Sequence, residues 1–307
     1  MDLHTEYRPQ KLGQIVGNVL ATQMMADELE DLDKTAHAWM FHGPSGCGKT
    51  TLARILAKEL KADLIEVDAA SNSGVKDMRS IVDGLLYSSI SGARRLLLID
   101  ECHRLSAAAW DVLLKPMEEP PKHLYVALCT TEPAKLPKTI KTRPRSVKVE
   151  LLSTKELDQL AFDICDRHDE KAPHGEVVDA AIEASNGSPR QMLVNLAACW
   201  QCEDYREASE VLSVAASEVE VIELCRALAD NRTNAADALA MVRLLPDNAK
   251  PEACRIQIVR YFTAIALNPK SKMPLEKVAD ALSCFDGEYL DQEGKAPLLR
   301  SIFHFYL

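Results

Sequence analysis

The clearest chemical signal in the chain is Gly43-Pro44-Ser45-Gly46-Cys47-Gly48-Lys49-Thr50. Its glycines let the backbone turn so that successive N–H groups converge, which is how a loop wraps phosphate oxygens. An apolar stretch, Trp39 to His42, precedes it, and a helical stretch, Thr51 to Leu60, follows. The loop would therefore present its ligand to a helix N-terminus, the positive end of the helix dipole. Lys49 has the reach to neutralise the outer phosphates, and the Thr50 hydroxyl can ligate Mg2+. Residues Gly43 to Thr51 are the candidate ligands of a nucleoside triphosphate, ATP.

A second constellation follows fifty residues later. Leu96-Leu97-Leu98-Ile99-Asp100-Glu101 is an apolar strand ending in two acids. Neighbouring side chains on a strand point to opposite faces, so one acid can serve a metal and the other a water molecule. Asp100 would hold Mg2+ through water, and Glu101 would orient and polarise the attacking water. His103, two residues on, could couple to the outer phosphate; the reading favoured here is an ordinary loop histidine.

Elements must position these groups. Trp39 to His42, Leu64 to Val67, Leu96 to Asp100, Tyr125 to Thr130 and Ser146 to Glu150 read as strands. Thr50 to Leu60, Val75 to Leu86 and Ala107 to Met117 read as helices between them. The alternation predicts an α/β fold with a parallel sheet covered on both faces. After Leu152 only helical periodicity recurs, opening on Ser153 with Glu156 three residues on, a capping box. We expect three domains: residues 1–152, then 153–214, then 215–307, with a charged linker before Ala215. No internal repeat or low-complexity tract is present.

Composition bounds the rest. The 307 residues are 47% apolar, enough for buried cores in two or three domains. A formal net charge of −10 is wrong for a general nucleic-acid coat, so any DNA contact must be a local patch or pooled over subunits. Nine scattered cysteines do not form a disulfide framework and suit a reducing, cytoplasmic setting. The polar start and the absence of a long apolar run predict no signal peptide and no membrane span. Cys199 and Cys202 form a C-x-x-C, but with no second pair nearby they read as helix packing.

Taken together, these residues resemble the ATPase subunits of sliding-clamp loaders, within the AAA+ class. The chain is similar to bacterial gamma/tau subunits and to replication factor C small subunits. The likeness runs over Tyr7-Arg8-Pro9, Ile15-Val16-Gly17-Asn18, the phosphate loop, Asp68-Ala69-Ala70-Ser71, Asp100-Glu101, Leu113-Leu114-Lys115-Pro116-Met117-Glu118-Glu119-Pro120-Pro121 and Thr130-Thr131-Glu132-Pro133. It implies an AAA+ sheet domain, a small helical lid and a C-terminal helical collar that oligomerises. It implies that Arg8, Val16 and Gly17 seat the adenosine and that Thr130 is a polar sensor. Arg190, in Gly187-Ser188-Pro189-Arg190, is then a second sensor reaching the phosphates of its own subunit. Arg143, in Thr142-Arg143-Pro144 where the family has S-R-C, is the arginine finger lent to a neighbour, with Arg145 as its rival. The family's four-cysteine zinc module does not follow the first helix here, so zinc is not expected, and a long tail is not expected after Leu307. Those two traits suggest a phage source.

The implied partners are a sliding clamp, other loader subunits in a pentameric ring, and primer-template DNA held by its phosphates. Candidate DNA contacts are Lys76, Arg79 and Arg104, which could equally be solvated basic residues. Leu85-Leu86-Tyr87 could meet the clamp or could be core. Two other functions fit less well. A Holliday-junction branch-migration helicase would want a C-terminal DNA-recognition element, and a structural loader subunit would want a broken phosphate loop.

Overall fold

The computed structural model describes residues 2–32, 34–71, 74–86, 94–230, 233–245, 251–268, 273–287, 289 and 294–306. The elements run α1 (Leu3–Glu6), α2 (Val19–Leu29), β1 (Ala38–His42), α3 (Lys49–Glu59), β2 (Asp63–Asp68), α4 (Val75–Leu86), β3 (Arg95–Asp100), α5 (Ala107–Glu118), β4 (Leu124–Thr130), α6 (Lys138–Lys141) and β5 (Arg145–Lys148). Eight helices follow: α7 (Thr154–Cys165), α8 (Gly175–Glu183), α9 (Pro189–Ala198), α10 (Tyr205–Ala229), α11 (Ala235–Leu244), α12 (Pro251–Leu267), α13 (Leu275–Cys284) and α14 (Ala296–Tyr306).

The five strands form one sheet in the order β2-β3-β4-β1-β5, with every pair parallel. Continuous apolar strands suit a sheet buried on both faces. The period of two sorts them: Met40, Leu97, Ile99, Val126 and Leu128 pack with Met78, Val82 and Leu85 of α4 and with Trp110 and Leu113 of α5. Trp39, Phe41, Leu96, Leu98, Ala127 and Cys129 pack on the other side with Met25 of α2 and with Leu52 and Leu56 of α3. Each such side chain contributes about 1.5–3 kcal/mol on burial, so these layers carry the stability of the sheet domain. Leu85, one of the three candidate clamp contacts, belongs to this core at 4% exposure. The Leu86 side chain and Tyr87 lie outside the described residues.

Because all strands run the same way, their carboxyl ends share one rim, where open parallel sheets bind ligands. Thr130 pairs with His42, and Asp68 with Asp100, so the ends of β1, β2, β3 and β4 are level. The helices α7 to α9 pack at this rim. Ser153 Oγ accepts from the Glu156 N–H, and Glu156 Oε2 accepts the Ser153 N–H at 2.8 Å, the reciprocal cap expected from the sequence. Leu152 N–H donates to the Gly187 carbonyl at 2.8 Å. The N-terminal segment is tied to the turn that follows α7, with the Tyr7 hydroxyl 2.7 Å from His168 Nε2 and the Arg167 guanidinium 5.5 Å above the Tyr7 ring.

The chain divides into two compact units, Met1–Glu203 and Asp204–Leu307. The boundary expected before Ala215 falls inside α10. That helix starts at Tyr205 because the Asp204 side chain caps it, accepting from Glu207 N–H at 2.8 Å, and no Gly or Pro interrupts it through Ala229. The second unit is all helix among its described residues. Val221, Leu224, Leu228, Val242, Ile258, Phe262, Phe285, Leu298 and Ile302 form its core. Among the described residues no helix is long and apolar enough to cross a membrane.

Candidate active site

The phosphate loop leaves β1, which lies between β4 and β5 in the sheet. A Cβ on Gly43 would stand 1.9 Å from the Val149 carbonyl oxygen, so the backbone approach there excludes any side chain. Lys49 opens α3 and is 6% exposed; its Nζ donates to the carbonyls of Gly43 and Pro44 at 3.0 and 2.5 Å. The ammonium thus lies within the curl of the loop, where a phosphate chain would run. Burial pushes the Cys47 thiol up, against the pull of Lys49, so this cysteine acts as a packed neutral group.

Thr50 Oγ1 donates to Asp100 Oδ2 at 2.8 Å, and Asp100 Oδ1 accepts the Glu101 N–H at 3.0 Å. Both residues line the cleft. A hydroxyl and a carboxylate side by side beside a phosphate loop fit Mg2+, which takes hard oxygen ligands together with phosphate and water. Bound there, Mg2+ would neutralise charge on the outer phosphates.

Glu101 sits at φ 48, the left-handed region, where the chain leaves β3 for a tight turn over Cys102–Arg104. Both Asp100 and Glu101 line the cleft. Thr131 Oγ1 donates to Glu101 Oε2 at 3.3 Å, and His103 Nδ1 is 3.4 Å from the same oxygen. Thr130 is fully buried at the end of β4; its Oγ1 accepts the Glu132 N–H at 3.0 Å and lies 3.1 Å from His103 Nδ1. His103, its side chain 7% exposed, also meets Glu132 through Nε2 at 3.3 Å. His103, read from the sequence as an ordinary loop histidine, is packed between Glu101, Thr130 and Glu132.

The cleft, about 330 Å³, opens from the loop onto Tyr7, Arg8, Pro9, Ile15 and Val16 on one wall and Leu152, Leu160, Pro189, Arg190 and Leu193 on the other. Ser45, Gly46, Cys47, Gly48, Thr50 and Thr51 line it as expected. Gly17 does not line it. A Cβ there would come within 2.6 Å of Glu156 Oε1 and the Leu152 side chain, so Gly17 is the place where the N-terminal segment closes on α7. Arg190 is exposed in the first turn of α9, whose cap residue Ser188 donates from Oγ to the Gly46 carbonyl at 3.4 Å. A Cβ on Gly46 would lie 2.3 Å from that hydroxyl, so the phosphate loop and the start of α9 are in contact.

The remaining candidates stand apart. Arg143 is ion-paired with Glu118 and does not line the cleft; Arg145 is ion-paired with Glu28. Lys76 and Arg79 are exposed in the first turns of α4, and Arg104 is exposed beyond the acidic pair. Cys199 is buried and meets the Asn195 carbonyl, with burial pushing its thiol up to about 11, which agrees with packing.

Sequence reasoning missed five residues around the cleft. Thr131 and Glu132 were noted only as motif letters, since their role depends on β4 lying beside β3. Arg54 and Glu66 form a two-point ion pair at 3.0 and 2.7 Å on the cleft wall, which no spacing reveals. Ser188 could have been found from its place before Pro189, a helix-start signal.

Comparison with known proteins can now be set beside this geometry. A family model described as "ATPase family associated with various cellular activities (AAA)" matches residues 39–153. That stretch holds the phosphate loop, the acidic pair and Thr130. The DNA polymerase III subunit gamma/tau of Mycobacterium tuberculosis is 34% identical over 63% of this chain and 38% of its own length. The tau subunit of Bacillus subtilis is 29% identical over 91% of this chain and 54% of its own. The tau subunit of Escherichia coli is 33% identical over 62% of this chain and 33% of its own. The chain thus spans about half or less of these relatives. Among solved structures, the Holliday junction branch migration motor RuvB of Thermotoga maritima superimposes with a TM-score of 0.59 at 20% identity, over 77% of this chain and 85% of that one. At that identity the likeness concerns the fold alone.

Proposed function

We propose that this chain is the ATP-hydrolysing subunit of a DNA sliding-clamp loader, which opens a clamp and closes it around primer-template DNA. The observation that carries the reading is an intact cleft, with Lys49, Thr50, Asp100 and Glu101 all in place, in a chain whose relatives are named DNA polymerase III gamma/tau.

In this mechanism the loop N–H groups and Lys49 hold the triphosphate, and Arg8 and Val16 flank the nucleoside. Thr50 and Asp100 hold Mg2+. Glu101 takes the proton from the attacking water, a role that suits a carboxylate held at one oxygen by Thr131 and left open at the other. Arg190 reaches across from the lid, so closure of the lid reports an outer phosphate. Arg143 completes the site of a neighbouring copy, which explains its place outside its own cleft. ATP binding then favours an assembled state, and hydrolysis releases it.

The roles divide as motor (residues 1–152), lid (153–203) and collar (204–307), with the last boundary moved to where α10 begins. The partners are a sliding clamp, sister subunits in a ring of five, and DNA phosphates at Lys76, Arg79 and Arg104. The reading places the protein with the replication machinery of the cytoplasm. The test is turnover with and without primed DNA and clamp. Stimulation by both supports the loader. Stimulation by four-way junctions alone would instead support a branch-migration motor, and no turnover under any condition would leave a structural subunit.

A further inference from the structure

We propose that Glu132 and His103 form a positioning pair that fixes the Thr130 hydroxyl and the Glu101 carboxylate for hydrolysis. The inference rests on the ATPase reading of the site. The geometry is a chain of three contacts: Glu132 Oε1 to His103 Nε2 at 3.3 Å, and His103 Nδ1 to Thr130 Oγ1 at 3.1 Å and to Glu101 Oε2 at 3.4 Å.

A carboxylate only accepts hydrogen bonds, whereas a neutral imidazole donates from one nitrogen and accepts at the other. With the ring neutral, Glu132 therefore selects the tautomer that carries its proton on Nε2. Nδ1 is left as an acceptor. It takes the Thr130 hydroxyl proton, while the Thr130 oxygen already accepts the Glu132 N–H at 3.0 Å. The Thr130 hydroxyl also meets the Cys102 thiol, so His103, the Glu132 N–H and Cys102 together hold it. Glu101 Oε2 lies 3.4 Å from the same ring nitrogen and accepts the Thr131 hydroxyl at 3.3 Å, so the His103 ring bounds this oxygen on one side while Thr131 supplies its hydrogen bond. A distant carboxylate that sets a histidine tautomer, and through it the reacting groups, is a general device of active sites. His103 is 7% exposed, so water does not compete for these contacts, whereas Glu132 is 44% exposed and can be changed without opening the core.

The experiment uses the full chain, with fluorescent ATP-analogue binding, steady-state turnover and histidine-selective 15N NMR. Glu132→Gln, which can donate as well as accept, should lower kcat about tenfold while KM and nucleotide affinity stay within about twofold. It should also shift the His103 ring nitrogen resonances as the tautomer preference is lost. His103→Ala should behave likewise, and the double variant should be no worse than the worse single variant, since the two act as a unit. Normal kcat in Glu132→Gln, unshifted His103 resonances, or independent, multiplying losses in the double variant would each overturn the proposal while leaving the ATPase reading intact. A wild-type chain that binds no nucleotide would sink that reading and this one together. Where His103→Ala fails to fold, Glu132→Gln alone decides.

Discussion

The Arg143 guanidinium is ion-paired with Glu118 at the end of α5, while the cleft of the same chain is lined by Arg8 and Arg190. An arginine held on a domain edge by a single carboxylate can exchange that partner for phosphate charge on another copy. Replacing Arg143 with Ala should lower turnover of the assembled protein by about 10³-fold and leave nucleotide affinity of the single chain unchanged. Mixing Arg143→Ala chains with Lys49→Ala chains should recover part of the turnover, since one supplies the cleft and the other the arginine. Full-speed hydrolysis by a strictly monomeric preparation, indifferent to Arg143, would refute the shared site.

The Thr50–Asp100 hydrogen bond predicts a metal-specific defect. Asp100→Asn should raise the Mg2+ concentration needed for half-maximal turnover and depress turnover by about 10²-fold. Binding of nucleotide in the presence of a chelator should be unaffected. A titration of turnover against Mg2+ checks this, and an unchanged midpoint would count against the assignment.

The close approach at Gly43 predicts a stability cost in addition to a functional one. In Gly43→Ala the new methyl must displace the Val149 carbonyl, which is backbone and yields little. Overpacking of this kind costs about 1–3 kcal/mol. A melting curve should move down by roughly 2–4 °C for each kcal/mol in a unit of this size. An unshifted curve would show that the loop has another conformation open to it.

Acid should weaken the second unit through Glu252. The Arg255 side chain donates to it at 2.5 and 2.8 Å, and this, with the Tyr289 N–H at 2.8 Å, holds the carboxyl down at about 2 against partial burial. The folded value lies below the ordinary 4.5, so protons bind the unfolded chain more readily. The stabilisation is complete above pH 4.5 and is lost as pH falls toward 2. Denaturant melts at several pH values, compared between wild type and Glu252→Gln, should converge at the acid end and separate near neutrality. A constant difference would mean that the charge of Glu252 is not what counts.

Much of this molecule could be read from its letters, because the strongest signals are local. β1, β3, β4 and the helix α4 fall within a residue or two of their expected limits, where apolar periodicity acts within a single element. The phosphate loop and the acidic pair were legible for the same reason. What escaped was anything set by strands that are distant in sequence. Nothing in the spacing of Glu101 and Glu132 shows that β4 returns beside β3 and brings His103 between them. The unit boundary was misplaced because Tyr205 to Glu210 is polar, and polarity was taken as a linker; helix propensity with an Asp204 cap carries the helix straight through it. Leu85 looked like a possible contact surface until α4 turned that face onto the sheet.

The hydrophobic layers on either side of the sheet contain none of Lys49, Thr50, Asp100 or Glu101, which all sit along its rim. Substitutions that silence the chemistry therefore spare the scaffold. On the proposed ring assembly, a cell producing both an active and a silenced version would build mixed rings, and the dead copies would act as poison rather than vanish to proteolysis. Inheritance of such a defect would be dominant, whereas defects in the layers themselves would be recessive.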